Sequence, residues 1–132
     1  RANAHEERKQ ALALAKFTTT LAQVSVPRIN LIAGEAYGTA AEVMNSKAIG
    51  ADFVLAWPQA SVGMMDAEQA VRIMYAEEIN TDKNKSSALA AAKRGYIDDI
   101  IEPDATRKRL IAAYEMLYGK KVTPVTKKHT AV

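Results

Sequence analysis

The stretch Ile29-Asn30-Leu31-Ile32-Ala33-Gly34-Glu35-Ala36-Tyr37-Gly38-Thr39-Ala40-Ala41 decides how this chain folds. Ile29, Leu31 and Ile32 form a short β-branched-rich run, the pattern of a strand buried in a sheet. Gly34 and Gly38 bracket a turn, and the small residues from Gly38 to about Lys47 read as a helix that ends near Gly50. A buried strand therefore feeds, through a glycine-containing turn, into the start of a small-residue helix.

On the N-terminal side, Leu14, Phe17, Leu21 and Val24 recur at spacings of three and four with Lys9, Lys16 and Thr20 between them, which predicts an amphipathic helix from about His5 to Val24. Pro27 ends it. On the C-terminal side the same order begins again: Asp52 to Trp57 is strand-like, Pro58 breaks it, and Ala60 to Met64 reads as a further extended segment. Asp66 with Gln69 three residues on has the spacing of a capping box, so a helix is expected to about Ile79. The polar stretch Asn80 to Ser87 reads as a loop, an Ala-rich helix follows to Arg94 with Gly95 as its stop, and Tyr96 to Ile101 is a strand candidate. Pro103 and Asp104 open a last helix with an apolar stripe of Leu110, Ile111, Tyr114, Leu117 and Tyr118, closed by Gly119. Alternating helices and buried strands define an α/β class, although about four strands are few for a free-standing sheet of this kind.

At 132 residues the chain suits one domain with one core, and a hydrophobic fraction of 48% with charges of both signs argues against disorder. No apolar run approaches the roughly 20 residues that span a bilayer, and the charged start Glu6-Glu7-Arg8-Lys9 is unlike a secretory signal, so a cytoplasmic protein without membrane insertion is expected. The absence of cysteine removes disulfides, thiolate metal sites and thiol nucleophiles. Much of the net charge of +3 comes from Lys120, Lys121, Lys127 and Lys128. No basic face with interleaved aromatics accompanies them, so no nucleic-acid partner is expected.

Side-chain catalysis has little to work with. The histidines are His5 and His129, and none of the serines sits in a nucleophile elbow. The carboxylate pairs Glu77-Glu78 and Asp98-Asp99 are adjacent in sequence and are not spaced to share a helix face, so no metal site is expected. The backbone offers more. The first N–H groups of a helix lack internal partners and point from its positive end, and Gly38, Thr39 and Ala40 carry side chains small enough for a ligand to approach them as an oxyanion hole requires. A tight turn with close helix packing explains the same pattern more simply, as a core aromatic and strand stop explain Trp57-Pro58.

Several short segments taken together point further. Val26-Pro27-Arg28-Ile29-Asn30-Leu31-Ile32, Ala36-Tyr37-Gly38, Val43-Met44-Asn45-Ser46-Lys47, Gly50-Ala51-Asp52, Ala56-Trp57-Pro58 and Gly95-Tyr96-Ile97-Asp98-Asp99-Ile100-Ile101 resemble, in order, signatures of the carboxyltransferase subunits of biotin-dependent acyl-CoA carboxylases and decarboxylases, of propionyl-CoA and methylmalonyl-CoA type. The likeness runs on through Thr106-Arg107 to Lys127-Lys128-His129 and covers nearly the whole chain. It corresponds to the C-terminal part of the second of that subunit's two crotonase-like domains.

The resemblance implies a ClpP/crotonase-like ββα spiral, here an incomplete domain over residues 1–119 followed by a basic tail, 120–132. It implies transfer of a carboxyl group between carboxybiotin, carried on a separate protein, and a short-chain acyl-CoA thioester. The N–H groups of Gly38, Thr39 and Ala40 would form the hole for the ureido oxygen, with Tyr37, Trp57 and Pro58 beside the cofactor, and no side-chain nucleophile is required. The implied partners are the CoA-binding half, a biotin carboxyl carrier protein, a biotin carboxylase or membrane decarboxylase subunit, and further copies of the chain. Activity of this chain by itself is not expected. Thr39 stands where the family usually has a second glycine, Ala41 where it has an aromatic, and the stretch between the Ile79 region and Ala90 is shorter than in related subunits. A non-catalytic assembly module and a stand-alone crotonase-type hydrolase or isomerase are the alternative readings.

Overall fold

The computed structural model describes residues 4–65 and 87–122. The helix expected from Asp66 to about Ile79, the polar stretch before Ser87 and the tail beyond Val122 lie outside the described residues.

Helix α1 spans Ala4–Gln23. Its three consecutive threonines, poor helix formers alone, each return a hydroxyl to the carbonyl four residues back, at 2.8 Å for Thr18 and Thr19 and 2.9 Å for Thr20. Beyond Pro27 the chain enters strand β1, Ile29–Ile32, as its apolar pattern predicts. The expected turn over Glu35–Tyr37 is instead a short strand, β2. The Ser61 N–H donates to the Gly34 carbonyl at 3.1 Å, and this draws the segment into pairing with β4, Ser61–Gly63, in parallel register from Glu35 against Ser61 to Tyr37 against Gly63.

Helix α2 starts at Gly38 as expected but ends at Val43, short of Lys47. Asn45 adopts a left-handed φ of 60°, which interrupts the helix, and a single 3-10 turn, Lys47–Ile49, closes at Gly50 with φ 89°. Strand β3, Phe53–Ala56, then pairs with β1 from Ile29 against Phe53 to Ile32 against Ala56. Thus β1 then β2, and β3 then β4, repeat one order, a strand in a first sheet followed by a strand in a second, with β1 parallel to β3 and β2 parallel to β4.

The short β5, Asp99–Ile100, completes the first sheet as β1-β3-β5. It is narrower than the run from Tyr96 to Ile101, though Asp98 N–H to the Val54 carbonyl (2.8 Å) and Ile101 N–H to that of Ala56 (2.9 Å) extend its attachment. Central β3 is the most buried strand. Helix α3, Ala88–Lys93, is capped by the Ser87 side chain, which accepts from the Ala90 N–H at 3.2 Å, and it stops at Gly95 with φ 82°. The core is Val54, Ala56, Ala60, Ala88, Ala91 and Ile97. With alanine on both sides, α3 sits close enough for the Ala88 N–H to reach the Ala60 carbonyl at 2.9 Å.

A 3-10 turn at Pro103–Ala105 leads into α4, Thr106–Leu117. The predicted stripe on α4 is only partly covered: Leu110 and Leu117 are half-buried and Ala113 is buried, whereas Ile111, Tyr114 and Tyr118 are exposed.

Candidate functional site

The segment Tyr37-Gly38-Thr39-Ala40 lies where β2 of the smaller sheet passes directly into α2. Gly38 takes φ 62°, a left-handed angle that an L side chain adopts only at a cost, and this turns the chain from strand to helix without a loop. A Cβ at Gly38 would stand 3.4 Å from the carbonyl oxygen of Met64. Beside it, the Tyr37 ring lies over Gly63, where a Cβ would come within 3.7 Å of the ring and 3.3 Å of the Met65 carbonyl. The ends of β2 and β4 therefore wall the turn on one side, a contribution of Gly63 and Met64 that their sequence alone does not announce.

Thr39 is exposed and follows Gly38 into the first turn of α2. Among the described non-glycine residues a positive φ belongs to Asn45, so Thr39 takes no glycine-only angle. The N–H groups of Thr39 and Ala40 take part in none of the turn, loop or cap hydrogen bonds of the described backbone, as expected at a helix start. Gly38, Thr39 and Ala40 thus present consecutive small residues at the positive end of a short helix.

Trp57 and Pro58 lie elsewhere, just past the end of β3 in the larger sheet. The Trp57 indole Nε1–H donates to the Thr106 hydroxyl at 3.0 Å, which commits that side chain to the start of α4, and Pro58 is exposed. Tyr37, Gly38, Thr39 and Ala40 form one group by chain continuity, while no hydrogen bond joins Trp57 to it. No cluster of three or more His, Cys, Asp or Glu suited to a metal ion occurs among the described residues.

A charged network fixes the strand that leads to this turn. The Asp52 carboxylate accepts from the backbone N–H of Arg28 at 2.7 Å and from the Lys120 ammonium at 2.8 Å. Burial by itself would raise the pKa of Asp52, but the Lys120 and Arg28 hydrogen bonds and their positive charges prevail and hold it below the usual aspartate value. The same Lys120 also approaches the Val26 carbonyl at 3.4 Å. Arg28 Nη2 donates to the carbonyls of Ile49 (3.0 Å) and Gly50 (2.6 Å), and a Cβ at Gly50 would come 2.7 Å from that nitrogen. Asp98 accepts from Lys47 and from the Val54 N–H, which ties β3 to the segment entering β5. Arg28, Asp52 and Asp98 fall inside the segments that carry the family resemblance, yet spacing alone assigns them no partner.

Two parallel sheets threaded alternately by successive strands and followed by helices define a crotonase-like α/β fold. The chain belongs to the carboxyl transferase domain family, whose profile matches residues 5–132. It is 36% identical over 130 residues to the methylmalonyl-CoA decarboxylase subunit alpha of Propionigenium modestum, covering 87% of this chain and 25% of that protein. It is 34% identical over 125 residues to the mitochondrial propionyl-CoA carboxylase beta chain of Homo sapiens, covering 89% of this chain and 23% of that one. In structure it superposes on the 12S transcarboxylase, a hexameric core crystallised with hydrolysed methylmalonyl-coenzyme A, with a TM-score of 0.88 and 33% identity over 98% of this chain and 26% of that chain. The chain therefore spans about a quarter of the length of the proteins it resembles. No described helix is long and apolar enough to cross a membrane.

Proposed function

We propose that this chain is the biotin-side portion of a carboxyltransferase that moves a carboxyl group between carboxybiotin and a short-chain acyl-CoA of the propionyl or methylmalonyl type. The observation that carries this reading is the likeness to the 12S transcarboxylase across 98% of the chain. Residues 1–119 are taken as the domain and 120–132 as its basic tail. The work is shared with a CoA-binding half, a biotin carrier protein and either a biotin carboxylase or a membrane decarboxylase subunit, in the cytoplasm and in a homo-oligomeric assembly.

The residues at the turn suit the cofactor. Gly38 has no side chain, Thr39 is exposed and small, and the Gly38 φ of 62° brings α2 in at a sharp angle, so a planar urea can approach the backbone. Carboxybiotin, when bound, supplies the carboxyl group and gathers negative charge on its ureido oxygen as that group departs. The N–H groups of Gly38, Thr39 and Ala40 donate to that oxygen and stabilise the charge as it develops, aided by the positive end of α2. Tyr37, held over Gly63, forms one wall. Trp57 and Pro58 are assigned to the cofactor by the resemblance alone; in the fold they stand at the end of β3, with the Trp57 indole on the Thr106 hydroxyl. No histidine or cysteine is needed in this role.

The test is transcarboxylation by the chain reconstituted with a CoA-thioester-binding carboxyltransferase half and biotinylated carrier protein. Gly38→Val, checked by circular dichroism for an intact fold, is expected to lower kcat about a hundredfold, the loss typical when an oxyanion-hole donor is displaced. An unchanged kcat in a folded Gly38→Val protein contradicts the assignment of the turn, and the absence of transfer by the unsubstituted pair contradicts the reading as a whole.

A further inference from the structure

The two sheets end unevenly. In the first, β3 is paired on both sides and three of its four residues are buried, whereas β1 is paired on one side among the described residues and all four of its residues are half-buried. In the second, Ser61 at the start of β4 meets Glu35 of β2 on one side and Ser87 on the other, so among the described residues the unpaired edge belongs to β2. Hydrogen bonds show which groups face outward. The Arg28 and Ile32 carbonyls accept from the N–H groups of Phe53 (3.4 Å) and Trp57 (3.0 Å) on the β3 side, and the alternation of a parallel ladder therefore turns the N–H and C=O groups of Ile29 and Leu31 away from β3. In the same way the Gly34 carbonyl accepts from Ser61, and the backbone groups of Glu35 and Tyr37 face away from β4.

Proteins that leave a strand edge in water blunt it with charge, proline or a bulge. Strand β1 has none of these: Ile29-Asn30-Leu31-Ile32 is uncharged and lacks proline, its register against β3 is regular, and the neighbouring Arg28 spends Nη2 on the carbonyls of Ile49 and Gly50. A two-stranded sheet such as β2-β4 is also below the size that is stable by itself. What fits these edges is set by the fold. The connected pair β1–β2 lies parallel on the connected pair β3–β4, one strand in each sheet. A further pair on the side away from β3 and β4 meets both outward edges at once.

We propose that the outer edges of β1 and β2 are a docking surface for another such strand pair, entering parallel to both, with its backbone N–H and C=O groups on those of Ile29, Leu31, Glu35 and Tyr37. The occupant is a strand pair of a carboxyltransferase polypeptide. The chain covers 25% of one relative and 26% of another, so about three quarters of each lies outside the matched part, ample for such a unit. Affinity comes from main-chain pairing and register from the apolar side chains of β1. The docking does not depend on whether the turn at Gly38 binds biotin.

The test uses the isotopically labelled chain and a synthetic peptide of residues 26–37 of this sequence, the strand pair that already lies parallel on a pair of its own kind. In the chain alone, the amides of Ile29 and Leu31 are expected to exchange with solvent at least about tenfold faster than those of Asn30 and Ile32, which face β3. The peptide is expected to slow Ile29 and Leu31 saturably, by about tenfold, and to leave Asn30 and Ile32 unchanged. A nitroxide at the peptide's N-terminus is expected to broaden Ile29 more than Ile32, as parallel entry requires. Leu31→Pro removes an outward N–H without touching the bonds to β3 and, with an intact fold by circular dichroism, is expected to abolish the slowing. A peptide N-methylated at Asn30 and Ile32 makes the same test with the chain unaltered and is expected not to bind. Equal protection of all four amides in the monomeric chain, no slowing by the peptide, or equal slowing by the methylated peptide overturns the proposal. So does protection of Ile29 and Leu31 that grows with the chain's own concentration, which would make a second copy the occupant.

Discussion

At the scale of single residues, the glycines separate two demands that a sequence does not distinguish. Gly50 and Gly95 both hold left-handed angles, φ 89° and 82°, but a Cβ at Gly95 meets nothing within 4 Å whereas one at Gly50 collides with Arg28 Nη2. Gly95→Ala is therefore expected to cost about 1 kcal/mol and Gly50→Ala about 2 kcal/mol or more, as read from urea midpoints. Asp52 makes a pH prediction of definite sign. Its folded-state pKa lies below its ordinary 3.8, so its contribution is fully present above that value and is lost as pH falls through the lower folded value. Asp52→Asn should remove this acid-limb dependence and, at neutral pH, lower stability by about 1–3 kcal/mol through loss of the Lys120 pair and weakening of the Arg28 N–H bond. Unfolding curves at a series of pH values check both parts, and an Asp52→Asn protein that keeps the full acid dependence would be inconsistent with the network.

At the scale of elements, what was legible in the sequence follows from periodicity. Helix α1 and strands β1 and β3 carry strong apolar patterns and occur where expected, because burial enforces those patterns. Strand β2 was not legible. Its three residues between two glycines look like a turn, and only the partner β4, some two dozen residues on, makes them a strand. The early end of α2 at Val43 was equally hidden, since it depends on the left-handed Asn45 rather than on a proline or glycine. Helix α3 shows what holds so short an element. It is six residues long, below the length that is stable alone, and relies on the Ser87 cap and on alanine contacts. Ser87→Ala should cost about 1 kcal/mol, measurable in thermal unfolding, with the loss centred on α3 in hydrogen exchange. Trp57→Phe, which removes the bond to Thr106, should speed exchange at the start of α4 while leaving α1 unchanged.

At the scale of the whole molecule, the core formed by the described residues is small. Among the described residues the largest side chain that is fully buried is Val54, and half of the buried apolar residues are alanines, while Met116 at 70% and Tyr118 at 92% exposed leave apolar surface on α4. If the proposed CoA-binding half docks on this exposed apolar surface, the melting temperature is expected to rise as that half is added, by mass action. A melting temperature independent of that half would argue against association. The proposed site left little trace in spacing for a physical reason: side-chain chemistry leaves motifs, whereas a hole of backbone N–H groups would leave only small residues, so the resemblance, and not spacing, singled out Gly38, Thr39 and Ala40. Arg28 and Asp52 were visible as signature residues without partners, because their contacts join segments far apart in sequence. The most direct test of the central claim is a titration of labelled chain with biocytin, following the amides of Gly38, Thr39 and Ala40. Saturable shifts centred on these amides and lost in Gly38→Val are predicted; a dispersed spectrum in which they do not move would contradict the assignment of a biotin site to this turn.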